Sequence, residues 1–386
     1  MTEWIECTLD KLGEIVGGGT PSTKCEDYYG GSIPWITPKD LSSFKGRYIT
    51  SGERNITEKG LASCSAQMMP KDAVLFTSRA PIGYVAIASQ SVCTNQGFKS
   101  IVVNEKADPL FIYYLLKYNK DAIEAMGSGT TFKEVSGKTM RAVKVRIPLD
   151  VSYQKRIAAV LDSLDTKIEN NERINDNLQQ QAAALFSSLY DRSNTEVRFT
   201  DLIQILGGGT PKTGENTYWN GNIAFFTPKD VGTPYTLITE KTISKEGLSH
   251  CNSRLYPVNT VFVTARGTVG KVGMSGVPMA MNQSCYALVG KETHQLLVYF
   301  YTLKAVDRLK HKASGAVFDA ITTRDFESEQ IMKLSHDDAT AFLRVAEPMF
   351  QEALNNNIEN LRLSTLRDSL LPKLMSGEID VSAVQL

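Results

Sequence analysis

The chain has 386 residues, is 42% hydrophobic and 22% charged, and balances 42 Lys+Arg against 42 Asp+Glu. That is the make-up of an ordinary globular protein of two or three domains. It excludes a low-complexity chain, and no apolar run nears the roughly 18 residues that span a bilayer. Residues 1 to 7 lack the basic and apolar stretches of a secretory signal, and the six cysteines form no CxxC pair, which points to reduced thiols in a cytoplasmic protein.

The neutral sum hides a segregation. Residues 1–150 carry a net +2 and residues 195–335 a net +3, whereas residues 151–194 and 336–386 carry −1 and −4. Within 1–150, short β-branched segments bounded by Gly, Pro or Asp predict strands over 72–77, 84–88, 99–103 and 143–148. Residues 110–119 read as a helix. A helix with a seam follows: Ile157, Leu161, Leu164, Ile168, Asn171, Asn175, Leu178, Ala182, Leu185 and Leu189 alternate spacings of four and three, the pattern for packing on another helix. Residues 190–196 are polar and read as a linker.

The chain then repeats itself. Gly17-Gly18-Gly19-Thr20-Pro21 recurs as Gly207-Gly208-Gly209-Thr210-Pro211, and Ile33 to Asp40 matches Ile223 to Asp230 at the same offset. Further on, Arg79 matches Arg266, Gly83 matches Gly270, and Asn95-Gln96 matches Asn282-Gln283. The seam returns as Phe342, Ala346, Met349, Ala353, Asn356, Asn360, Leu363, Arg367, Leu370 and Leu374. A polar residue in such a seam costs stability and fixes register. The expected organisation is α+β: a globular domain over 1–150, a spacer helix and linker over 151–194, a second globular domain over 195–335, and a second spacer helix over 336–386. Two pseudo-symmetric domains would then be joined by two long coiled-coil helices, antiparallel if the repeat is related by a two-fold axis.

These features resemble the specificity (S) subunits of Type I restriction–modification systems. The resemblance rests on Gly-Gly-Gly-Thr-Pro, on Ile33-Pro34-Trp35-Ile36-Thr37-Pro38-Lys39-Asp40, and on the Arg79-Ala80-Pro81-Ile82-Gly83 turn with Asn95-Gln96-Gly97. Ile147-Pro148 with Gln154 and Ile157 ahead of the first helix, and Leu370 to Glu378 at the end, complete it. It implies that each half is a target-recognition domain reading one part of a bipartite double-stranded DNA target, that two methylation (M) subunits dock on the helices, and that restriction (R) subunits join them. No cofactor is expected on this chain; S-adenosylmethionine, ATP and Mg would sit on the partners. The second copy departs from the pattern where its helix begins, with Lys333-Leu334-Ser335-His336-Asp337 and no counterpart of Gln154.

Chemistry-bearing motifs are missing. There is no Asn-Pro-Pro-aromatic or Asp-Pro-Pro-aromatic run of an adenine methyltransferase, and no GxSxG elbow. Ser136-Gly137-Lys138-Thr139 ends like a phosphate-binding loop but has Phe132 at the required glycine. A stand-alone DNA-modifying enzyme is therefore disfavoured; a two-domain protein-binding scaffold is the other alternative.

Arginine and lysine hold phosphates, and Arg, Asn and Gln read base edges. Residues matched between the halves, Lys39 and Lys229 with Arg79 and Arg266, are expected to hold the DNA backbone or brace the domain; Lys39-Asp40 reads equally as an internal pair. Asn95, Gln96, Asn282 and Gln283 either face a base or satisfy a turn. Base choice is expected where the copies differ: Lys45, Arg47, Arg54, Lys133 and Lys138 in the first, Tyr235, Lys241 and Arg324 in the second. Leu161, Leu164, Ile168, Asn171, Asn175, Leu178, Leu185, Met349, Asn356, Asn360, Leu363, Leu370 and Leu374 are the expected helix–helix seam. A helix over residues 154–190 would be about 55 Å long at ~1.5 Å per residue.

Overall fold

A computed structural model describes residues 3–129, 133–312 and 320–384 of the chain. It divides into two compact units, one formed by Met1–Glu169 with Arg362–Leu386, the other by Asn170–Leu361. The division falls inside both long helices, which run Val151–Asp191 and His336–Ser376, 41 residues each. Each unit is thus one globular domain closed by its own stretch of helix pair.

The two domains have the same topology. In the first, a five-stranded sheet has the order Gly13–Gly17, Lys99–Val103, Val74–Ser78, Ile82–Ala88, Tyr48–Ile49, all antiparallel except the last pairing. In the second, the order is Ile203–Gly207, Cys285–Gly290, Val261–Thr264, Val272–Ser275, Tyr235–Thr236, again with only the last pairing parallel. A three-stranded sheet built around Tyr29–Ile36 in one domain and Trp219–Phe226 in the other completes the frame. The strands predicted over 72–77, 84–88, 99–103 and 143–148 appear at Val74–Ser78, Ile82–Ala88, Lys99–Val103 and Lys144–Pro148.

Helices Pro109–Tyr118 and Gln295–Lys312 lie against the five-stranded sheets. The first starts where Asp108 Oδ1 accepts from Phe111 N at 2.9 Å, with proline at its first position. Phe111, Ile112, Tyr114, Leu115 and Leu116 are almost fully buried and join Val74, Phe76 and Ile101 of the sheet in one core with Ile157 and Leu161 of the first long helix. Burying apolar surface at roughly 25 cal/mol per Å² drives this docking. In the second unit the equivalent core is aromatic: Phe186 stacks on Phe300 at 4.9 Å and meets Phe342 at 5.4 Å.

The long helices are antiparallel within each unit. In unit 1, Asp165 meets Arg367, and Tyr153 Oη donates to Asp380 Oδ1 at 2.9 Å. In unit 2, Asn171 Nδ2 donates to Asn360 Oδ1 at 2.8 Å, and Asn356 Nδ2 to Asn175 Oδ1 at 2.9 Å. Of the expected seam, Leu161, Asn171, Asn175, Asn356 and Leu374 are buried, and Leu164, Ile168, Leu178, Leu185, Met349, Asn360, Leu363 and Leu370 are half-buried.

One boundary detail differs from the sequence reading and another agrees with it. Tyr190 is not in a linker: the helix continues through it, its ring is buried, and its hydroxyl accepts from Met332 N at 3.2 Å. The second helix begins at His336 without a glutamine; Ser335 caps it instead, accepting from Asp338 N at 3.1 Å. Gln154 has a buried structural task, accepting from Asp108 N at 3.0 Å and donating to Pro148 O at 2.9 Å.

Candidate nucleic-acid interface

The motifs that betray the repeat meet in space in each domain. Gly18 follows the strand Gly13–Gly17 and lies against the backbone at Thr94 and Asn95; a Cβ there would stand 1.9 Å from the Asn95 carbonyl oxygen. Gly208 has the same relation to Asn282, at 2.2 Å. The next residues then bond across, Gly19 N to Thr94 O at 2.9 Å and Gly209 N to Met281 O at 3.1 Å. Thr20 Oγ1 bonds Gln96 Oε1, and Thr210 Oγ1 bonds Gln283 Oε1. Only glycine permits this close approach of two backbones.

The asparagines complete the same turn. Asn95 Oδ1 accepts from Gly97 N at 2.8 Å, and Asn282 Oδ1 from Ser284 N at 3.0 Å. Both are half-buried, while Gln96 and Gln283 are exposed at the tip. The Lys-Asp pairs are split between two tasks. Asp40 Oδ2 accepts from Thr37 N at 2.7 Å and Asp40 Oδ1 from Glu53 N at 2.7 Å; Asp230 does the same with Thr227 N at 2.8 Å and Glu240 N at 2.7 Å. Lys39 and Lys229 point outward, exposed, to Glu53 at 2.7 Å and Glu240 at 3.6 Å.

Around this frame each domain gathers exposed cations. In unit 2 a cleft of about 660 Å³ is lined by Lys229, Lys241, Arg266 and Asn282, with Thr268 and Ser284 adding polar groups. Its one lining carboxylate is Glu240. Lys241 lies 5.6 Å from the Trp219 ring centroid, and in unit 1 the Arg54 guanidinium lies 4.3 Å from that of Tyr29. Each domain therefore sets a cation on an aromatic of its three-stranded sheet, an attraction of about 0.5–1 kcal/mol at exposed sites.

The matched arginines differ in their surroundings. Arg79 is half-buried, with Nη1 3.4 Å from Glu134 Oε2, and Lys99 Nζ stands 3.6 Å from the same carboxylate. Arg266 is exposed, and among the described residues it has no acidic partner. Lys45, Lys133, Lys138 and Arg324 are also exposed. Of the two differing segments that carry these residues, 130–138 and 316–324, residues 130–132 and 316–319 lie outside the described residues.

Two expected contacts are corrected. Arg47 is only 6% exposed. Its guanidinium lies 3.2 Å from both Asp162 and Glu169 and donates to Thr166 Oγ1 at 2.8 Å, so it ties its loop to the first long helix. Burial acts to lower its pKa, but Asp162, Tyr114 and Glu169 outweigh it, and the group stays charged. Tyr235 is buried too: its hydroxyl donates to Asn259 Oδ1 at 3.0 Å and its ring packs on Phe350 of the second long helix. Arg47 sits in a loop and Tyr235 in the strand Tyr235–Thr236, both in segments that differ between the copies, and both side chains pack on the long helices.

Sequence reasoning missed the polar joint of unit 1. Asp165 accepts from Tyr114 Oη at 2.8 Å and from Arg367 Nη1 at 2.6 Å. Arg367, the one charged residue in the expected seam, was the available signal.

Among the described residues no cluster of His, Cys, Asp and Glu could hold a metal, and no helix is long and apolar enough to cross a membrane.

Comparison with known proteins agrees with this architecture. The family model for the Type I restriction modification DNA specificity domain matches residues 1–180 and 192–333. A Type I restriction enzyme specificity subunit from Methanocaldococcus jannaschii, MjaIX, is 30% identical over 408 residues, covering 98% of this chain and 94% of the relative. The HindI specificity subunit from Haemophilus influenzae is 24% identical, covering 73% and 80%. The solved S subunit of a Type I restriction–modification system from M. genitalium superposes with a TM-score of 0.62 at 16% identity, over 97% of this chain and 96% of that one, a likeness of fold.

Proposed function

Because the chain belongs to the Type I restriction–modification DNA specificity family, we propose that it reads the DNA target of such a complex and carries no catalytic step itself. Each globular domain reads one half of a bipartite double-stranded sequence. The two long helices act as spacer and as docking ground for two methylation subunits, which restriction subunits join. S-adenosylmethionine, ATP and Mg belong to those partners, and the complex works in the cytoplasm, where its DNA lies.

The duplication carries this reading. Two copies of one frame, each fixed by a Gly-Gly-Gly-Thr-Pro strand end crossing an Asn-Gln turn, present cations at matching places. Phosphate contacts set position and base contacts set sequence. Identical frames with divergent loops suit a reader that must place two heads alike while letting each select different bases.

The test is methyl transfer by purified components. With the methylation subunit and S-adenosylmethionine, the chain should direct methylation to one two-part sequence. The methylation subunit alone, and this chain alone, should transfer nothing to DNA. Methylation by this chain alone would overturn the reading.

A further inference from the structure

Arg79 and Arg266 occupy one place in the duplicated fold. Each pairs its backbone with a second segment, Arg79 with Glu134 and Arg266 with Ala320. The acid beside the first arginine is therefore an alanine beside the second. The third member also changes: Lys99 pairs in register with Gly17, and its counterpart opposite Gly207 is Tyr286. The trio Arg79, Glu134 and Lys99 becomes Arg266, Ala320 and Tyr286. Both trios sum to +1, so the copies differ in how the guanidinium is held, not in local charge.

Holding matters because the two kinds of DNA contact have different geometric demands. A base edge is read by a guanidinium presenting two N–H groups in a fixed direction, most often to guanine O6 and N7. A carboxylate that already bonds one nitrogen fixes the fork before DNA arrives and removes part of the ordering cost. A phosphate accepts from many directions, so an exposed, unbuttressed arginine meets it without such aid. Arg79 has the buttress at Glu134, through Nη1 only, which leaves its other N–H groups to a ligand. Arg266 has none among the described residues, and it shares a cleft with Lys229 and Lys241.

We propose that the matched arginines have divided their work: Arg79, steadied by Glu134, reads a base edge in one half-site, and Arg266 holds a phosphate of the other. The proposal rests on the DNA-reading function given above and adds a role for each residue.

Equilibrium DNA binding by the chain assembled with its methylation subunits, titrated against salt, separates the two roles when joined to methylation mapping on a randomised DNA library. A phosphate contact contributes about 0.9 to the slope of log K against log salt. Arg266→Ala should lower the slope by about that much and leave the methylated sequence unchanged. Arg79→Ala should leave the slope in place and lose roughly ten- to hundredfold discrimination at one base pair. Glu134→Gln, which keeps the shape and removes the charge, should relax the same base pair more weakly. Thermal unfolding of each variant verifies that the fold survives. Equal loss of slope in both arginine variants would overturn the division, as would a changed base preference in Arg266→Ala or an unchanged one in Arg79→Ala. If the unaltered complex bound DNA without salt dependence, the DNA-reading function itself would fall, and that result is visible before any variant is made.

Discussion

The Asp165 carboxylate accepts from the Arg367 guanidinium at 2.6 Å, joining the first long helix to the second within unit 1, with Tyr114 Oη on its other oxygen at 2.8 Å. Asp165 is nearly buried. Removing one partner of a buried pair strands the other charge, at about 3–5 kcal/mol. Arg367→Ala should lower the unfolding free energy by about that much in urea titration, whereas Asp165→Leu with Arg367→Met and Tyr114→Phe, which leaves no buried donor unpaired, should recover most of it. Equal stability of Arg367→Ala and the unaltered chain would show that the pair is not formed.

The glycine motif makes a sharp internal contrast. A Cβ at Gly18 meets the Asn95 carbonyl at 1.9 Å, while one at Gly17 meets nothing within 4 Å. Gly18→Ala should cost about 1–3 kcal/mol, the usual range for overpacking, and Gly17→Ala less than about 0.5 kcal/mol. Melting curves of the two variants decide it.

Burial pushes the thiols of Cys93 and Cys285 up to about 12. The sign follows from which form reacts: the thiolate is the nucleophile, so a raised pKa keeps both groups protonated and inert at pH 8. Iodoacetamide at that pH should leave Cys93 and Cys285 unmodified in the folded chain and label them in denaturant, as read by peptide mass spectrometry.

Helix length should set the interval between half-sites. At ~1.5 Å per residue, 41 residues make a rod of about 60 Å. Four residues inserted into both helices, a little over one turn, should lengthen the gap in the methylated sequence and leave each half unchanged. A constant gap in methylation mapping would remove the ruler role.

Much of the architecture was legible in the sequence because repetition and periodicity are global signals. An offset of 190 between two Gly-Gly-Gly-Thr-Pro runs locates two domains without any energy argument, and the four-three spacing from Ile157 to Leu189 locates a helix and its buried stripe. Individual roles were harder to read. Arg47 and Tyr235 lie in segments that differ between copies, which suggested DNA, yet both turn inward to the long helices. Composition cannot show which way a loop side chain points. Arg79 and Arg266 carry the opposite lesson: identical letters at matched positions hid the replacement of Glu134 by Ala320, because that partner lies more than fifty residues along the chain.

The most direct test of the central claim exchanges one head and leaves the other. Residues 195–335 are replaced by the corresponding domain of a relative with a different target, and the chain is co-expressed with its own methylation subunit for genome-wide mapping of methylated adenines. Two independent readers on one frame predict a two-part motif in which one half is new, the other half is retained and the gap is unchanged. A motif that changes in both halves, or in neither, would contradict the account.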